Sequence, residues 1–212
     1  MTFDRRTTLP PSWAESLLRM LLPARDHESV SGDLLEEYRQ SIVPSRGAAA
    51  NRWYVSQVAG YMWRQTWMWA ALIAAICVTR YLFDTLAPIH YTRGVVALRS
   101  AVMSWALAGA FFGCGAWHTW RTRNPITGLL LALATASIGG LLTILVTGVS
   151  LAIRHDPATM AAIAGSGGID ELWAIPLLLQ PLAALVTGSA GALVGLAAVA
   201  IYDWSSPNTK SA

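Results

Sequence analysis

Charge is scarce in this sequence. Only 13% of its 212 residues are Asp, Glu, Lys or Arg, against about 25% in soluble domains. The deficit is uneven, with 15 charged residues before Thr66 and 12 from there to the end. A break that sharp separates a water-facing segment from a lipid-facing one. Cysteine is scarcer still. Cys77 and Cys114 both fall inside apolar stretches, at depths that differ by roughly 12 Å at ~1.5 Å of helix rise per residue, which disfavours a disulfide. The four histidines, His27, His90, His118 and His155, sit at stretch edges or in connections. None has Cys or carboxylate partners at ligand spacing, so no metal is expected.

Other absences narrow the function. No GxxxxGK[ST] loop is present to cradle phosphates. Ser166 has no histidine within a span to act as its base. The expectation is therefore a non-enzymatic chain without a cofactor. The net charge of +3 comes from basic residues that alternate with acidic ones through the first 65 positions. No face gathers enough positive charge to follow a phosphate backbone, so nucleic acid is not expected as a partner. Residues 1–30 lack an uninterrupted apolar run, being broken by Pro10, Pro11, Glu15, Arg19 and Pro23. That predicts insertion by an internal span instead of a signal peptide.

What the chain has in abundance is apolar length. Hydrophobic residues make up 54% of it. Four stretches, about 66–86, 96–117, 126–150 and 173–202, each approach the ~20 residues that cross the hydrocarbon core. Residues 126–152 carry no charge at all. Positive charges flanking the spans favour the side of Arg46, Arg52, Arg64, Arg121, Arg123 and Lys210 as cytoplasmic, against Arg80, Arg93, Arg99 and Arg154 outside. Trp63, Trp67, Trp117, Trp120, Tyr202 and Trp204 would gather at that inner interface. Both termini are then cytoplasmic.

Within the spans, Gly109-Ala-Phe-Phe-Gly113 and Gly191-Ala-Leu-Val-Gly195 are GxxxG patterns. Glycine at that spacing lets two helix backbones approach closely, within the bundle or between copies. Pro176, Gln180 and Pro181 would kink the fourth span, and a polar side chain beside freed carbonyls can line a transport site. The middle of every span lacks Asp, Glu, Lys and Arg, which argues against an ion-coupled carrier.

Before the spans, Ser12-Trp-Ala-Glu15 reads as a capping box opening a helix at about 13–22, ended by Pro23. A second helix runs from about Asp26 to Ile42, with Val30, Leu34, Tyr38 and Ile42 spaced by four along one stripe. Gly32 inside it would allow close approach of the first helix. The simplest arrangement is a hairpin whose stripes face each other. Trp13, Leu17, Leu21, Val30, Leu34 and Tyr38 form its candidate docking surface, because so small a unit leaves apolar area to be covered. Pro44–Gly47 reads as a linker, and a third helix from Ala48 would run on into the first span.

The run Pro11-Ser-Trp-Ala-Glu-Ser-Leu-Leu-Arg-Met-Leu-Leu-Pro23, then Glu28-Ser-Val-Ser-Gly-Asp-Leu-Leu-Glu-Glu-Tyr-Arg39, resembles the bacterial permease prefix domain, a short helical module ahead of the membrane part of some FtsX/MacB-like ABC permeases. Trp13, Leu17, Leu18, Leu21, Leu22 and Pro23 carry the resemblance, with Gly32-Asp33-Leu34 and Glu37-Tyr38-Arg39. It covers about residues 11–42. The compact four-span block that follows departs from those permeases, which carry a large extracytoplasmic domain. The resemblance implies a shared docking or regulatory module and does not imply transport by this chain.

The sequence thus predicts an all-α integral membrane protein of the bacterial inner membrane. A cytoplasmic helical hairpin (1–45), an interfacial helix (46–65), a four-helix transmembrane bundle (66–204) and a short tail (205–212) follow in order. The expected partners are the lipid bilayer and a permease complex or a second copy. The alternatives are a small transporter or channel subunit built on the fourth span and, less favoured, a membrane-tethered regulator of the anti-sigma type. The common zinc-binding form of that regulator has a His…Cys-x-x-Cys pattern, and here the amino-terminal region has His27 and no cysteine.

Overall fold

A computed structural model of the chain describes residues 9–23, 26–86, 93–154 and 174–205. Every regular element among the described residues is helical. In order these are α1 (Ser12–Leu21), α2 (His27–Glu37), a π-helical turn (Tyr38–Ile42), α3 (Val43–Arg46), a 3-10 turn (Gly47–Ala49), α4 (Ala50–Leu86), α5 (Arg93–Thr122), α6 (Pro125–Arg154), a second π-helical turn (Ile175–Leu179) and α7 (Gln180–Ser205). Ser166, the tail from 206 on, and the side chains of Arg80, Arg93, Arg99 and Arg154 lie outside the described residues.

Two helical segments, Pro125–Val149 and Ile175–Ser205, are long and apolar enough to cross a membrane. They belong to a four-helix bundle of α4, α5, α6 and α7, in which α5 and α7 share the largest contact and α4 packs chiefly on α6. Large apolar side chains point outward: Leu141, Leu145, Leu182, Val186, Leu193 and Ile201 are all exposed. The interior is rich in small and polar residues, among them Ala132, Thr135, Ala136, Ala184, Gly188 and Ala192, packed around a few large apolar ones, chiefly Ile73 and Phe111.

The amino-terminal helices are not a self-contained hairpin. Leu18, Leu21 and Leu22 of the α1 segment, with Tyr38 and Ile42, bury against Ala50, Tyr54 and Val58 at the start of α4 and against Leu131 of α6. The two stripes meet α4 more than each other, because α4 begins 16 residues before Thr66 and supplies the missing wall. Three local expectations change with this. Ser12 is the first helical residue instead of the cap: the Pro11 carbonyl accepts the Ala14 and Glu15 amides at 2.9 and 3.1 Å, and Glu15 pairs with Arg19 one turn on. No heavy atom lies within 4 Å of where a Gly32 Cβ would stand, so α1 does not press there. Of the stretch expected as linker, Pro44–Gly47, residues 44–46 are helical, with Pro44 in the first turn of α3. The chain turns instead at Gly47, whose φ of +51° suits glycine.

The turn from α5 to α6 is tightly specified. The Ile126 amide donates to Asn124 Oδ1 at 3.0 Å, which caps α6. Arg123 adopts a φ of 58° and reaches across to Asp203 near the end of α7. Trp120 and Tyr202 meet edge to face beside it, with ring centroids 5.7 Å apart.

Candidate functional site

Three regions carry polar or contact chemistry: the amino-terminal layer, a glycine seam, and a set of buried polar groups inside the bundle.

In the amino-terminal layer Tyr38 is the keystone. It is buried, its hydroxyl donates to Asn51 Oδ1 at 2.6 Å, and its ring meets Tyr54 edge to face at 5.6 Å. Burial raises the pKa of both phenols; at Tyr54 burial acts first, Glu15 raises it further and Arg19 opposes. The Thr127 hydroxyl donates to the Met20 carbonyl and ties α1 to the first turn of α6. The expected docking surface is therefore divided. Leu21 and Tyr38 are core and closed to a partner, Leu17 and Leu34 pack half-buried on that core, and Trp13 and Val30 remain exposed. What α2 and the π-helical turn after it present outward is a shallow groove lined by Gly32, Leu35, Glu36, Arg39 and Gln40.

The glycine seam joins α5 to α7. A Cβ on Gly191 would strike the Phe112 carbonyl, one on Gly195 the Ala116 carbonyl, and one on Gly115 the Gly188 carbonyl. Both glycines of the α7 pattern thus serve packing within the bundle. The α5 pattern is split: Gly109 has open space, whereas a Cβ on Gly113 would stand 3.2 Å from the Trp69 ring of α4, tighter than ordinary contact. Gly115, which no GxxxG spacing marks, serves the seam with α7 in their stead. Gly188-Ser-Ala-Gly191 extends the α7 stripe backward by one turn, a signal readable in the sequence once the register is known.

Among the buried polar groups, Gln180 follows the second π turn and is only 4% exposed. Its Nε2 donates to Cys77 Sγ at 3.5 Å, while Oε1 has no hydrogen-bond partner. The Cys114 thiol lies 3.6 Å from Thr135 Oγ1. His118, one residue beyond the span expected at 96–117, is 2% exposed. Neither ring nitrogen has a partner of good geometry. Its position at a stretch edge in the sequence does not reveal which way the ring points. Among the described residues no three His, Cys, Asp or Glu side chains gather where a metal ion could be held.

Comparison of the chain with protein-family models, with curated proteins and with solved structures gave no match.

Proposed function

We propose that the chain is a four-span protein of the bacterial inner membrane with both termini cytoplasmic, and that it works as a non-enzymatic accessory or regulatory subunit of a permease complex. The observation that carries the membrane part is the inverted distribution of residues in the bundle. Leucine, valine and isoleucine dominate the outside, while the inside is rich in alanine, glycine and threonine, with a glutamine and only a few large apolar side chains such as Ile73, Phe111 and Leu131. A water-soluble bundle requires the opposite arrangement, since apolar area exposed to water costs about 25 cal/mol per Å². In lipid, small residues at the helix contacts and large ones outside are the stable solution.

The accessory role rests on the prefix-like segment. Its apolar residues are used in seating the layer on α4 and α6, so recognition falls to the outward face of α2 and the π-helical turn after it, with Leu35, Glu36, Arg39 and Gln40 around Gly32. The test is co-purification of the full chain in mild detergent, set against the surface variant Leu35→Glu/Arg39→Glu. Capture of an ABC permease subunit or its ATPase by the native chain only supports the role. Equal capture by both chains, or none, sinks it. A deletion of the amino-terminal helices is a poor test, because it would strip the cover from Tyr54, Val58 and Leu131.

A second reading, a small transporter or channel subunit, is favoured by one observation: the buried amide of Gln180 with an unpartnered oxygen beside a π-helical turn, a feature that recurs at functional sites. Solute flux in proteoliposomes that Gln180→Leu abolishes would select this reading over the first.

A further inference from the structure

Helix α1 has three faces, where an ordinary surface helix has two. At ~100° per residue, Ala14, Leu18, Leu21 and Leu22 occupy one sector of ~100°, and all four are buried against the bundle. Ser12, Glu15, Ser16 and Arg19 occupy a second sector of similar width, centred ~120° from the first; Glu15 and Arg19 are ion-paired there and the serines are exposed. Trp13, Leu17 and Met20 share a third sector only ~60° wide, between the other two. Trp13 is 59% exposed, Met20 is also exposed and Leu17 is half-buried. An apolar face that the fold covers only in part, at Leu17, and that lies between a protein-facing and a charged face suits a third environment besides protein and water.

The level of α1 along the bundle identifies that environment. The Met20 carbonyl accepts from Thr127, two residues into the apolar segment Pro125–Val149, and Leu131 of that segment closes the core beneath α1. Leu131 stands six residues past Pro125, ~9 Å along the helix. Helices that lie in the membrane–water boundary bury their apolar face ~5–10 Å deep, the same depth. Trp117 and Trp120, both exposed on α5, stand at this end of the bundle too, and tryptophan favours the boundary. The charged face, carrying Glu15 and Arg19, is the side that can remain in water.

We propose that α1 is an interfacial helix whose Trp13–Leu17–Met20 face rests on lipid at the cytoplasmic boundary, so that the occupant of this face is the bilayer and not a protein partner. The inference depends on the membrane reading above, and its test separates the two. Nitroxide labels are placed singly at positions 12, 13, 16, 17, 19, 20 and 193 of the full chain carrying Cys77→Ala and Cys114→Ala, reconstituted in phosphatidylglycerol/phosphatidylethanolamine vesicles. Collision with oxygen and with a water-soluble nickel chelate is then read by EPR. Labels at 13, 17 and 20 should be reached by oxygen and shielded from nickel, with 12, 16 and 19 reached by nickel.

Nickel access at 13, 17 and 20 equal to that at 12, 16 and 19 overturns the inference, and so does shielding from both reagents, which would mean a protein cover. Position 193, outward on α7, reports on the membrane itself: nickel access there removes the membrane reading as well. An unlabelled measurement stands beside this one. Brominated lipids should quench the Trp13 share of the emission, taken as the native chain minus Trp13→Phe. An unquenched difference spectrum overturns the inference independently of the labels.

Discussion

Arg123 holds Asp203 through both guanidinium nitrogens, at 2.9 and 3.0 Å, and so fastens the α5–α6 turn to the last turns of α7. The two residues are 80 positions apart in the chain. The paired geometry fixes direction as well as distance, and it holds Arg123 in a left-handed conformation that side chains other than glycine seldom adopt. The contact closes the bundle at the same end to which the amino-terminal layer is attached.

Because both side chains are about half exposed, the pair should contribute modestly. Asp203→Ala is expected to lower stability by about 0.5–1 kcal/mol. Arg123→Gly loses the same bridge and relieves the backbone, so it should cost less than Asp203→Ala, and the double variant should match Arg123→Gly alone. Equilibrium unfolding in mixed SDS micelles measures all three. A double variant clearly worse than either single change would mean that Asp203 has a further role.

The glycine seam gives a contrast between two residues of the same type. Gly191→Ala places a methyl against the Phe112 carbonyl and should destabilise the bundle by about 1–3 kcal/mol, as overpacking does. Gly109→Ala meets open space and should be neutral or gain up to ~1 kcal/mol from helix propensity. The same SDS titration, with gel filtration to follow oligomeric state, decides it. A loss at Gly109 accompanied by dissociation would assign that glycine to contact between copies.

Two neighbouring phenols should respond in opposite ways. Tyr38→Phe deletes the hydrogen bond to Asn51 and leaves that amide oxygen wanting, at a cost of about 1 kcal/mol. Tyr54→Phe removes a buried hydroxyl without a partner and should be neutral or stabilising by a few tenths to ~1 kcal/mol. Thermal unfolding in detergent distinguishes them, and equal losses at both would show that Tyr54 has a partner after all.

How far these features could be read beforehand depends on their range along the chain. Apolar runs are local, so the all-helical class and the two most apolar segments were legible from composition. The uninterrupted helix from about Ala48 through the first apolar stretch was legible because no proline in 50–86 breaks it. The capping box failed because Pro11 presents its own carbonyl at the right angle, a local geometry that the Ser-x-x-Glu spacing does not encode. What covers the hairpin was not legible, for a different reason. Spacing by four tells which residues of α2 share a stripe, but not that α4 starts early enough to cover Tyr38 and Ile42. The seam shows the same limit, since a GxxxG spacing marks capacity for close approach, and only the register of α5 on α7 selects Gly115 over Gly109.

His118 tests whether a buried imidazole is an asset or a burden to the bundle. Neither ring nitrogen has a hydrogen-bond partner, so folding strips the ring of the water that it binds in the unfolded chain, and a buried polar group left unsatisfied costs about 1–3 kcal/mol. His118→Phe fills a similar space without a polar atom and should leave stability equal or higher, by up to ~2 kcal/mol. Unfolding midpoints of the two chains in the same detergent decide the matter. A clear loss in His118→Phe would mean that a ring nitrogen is hydrogen-bonded in the working protein.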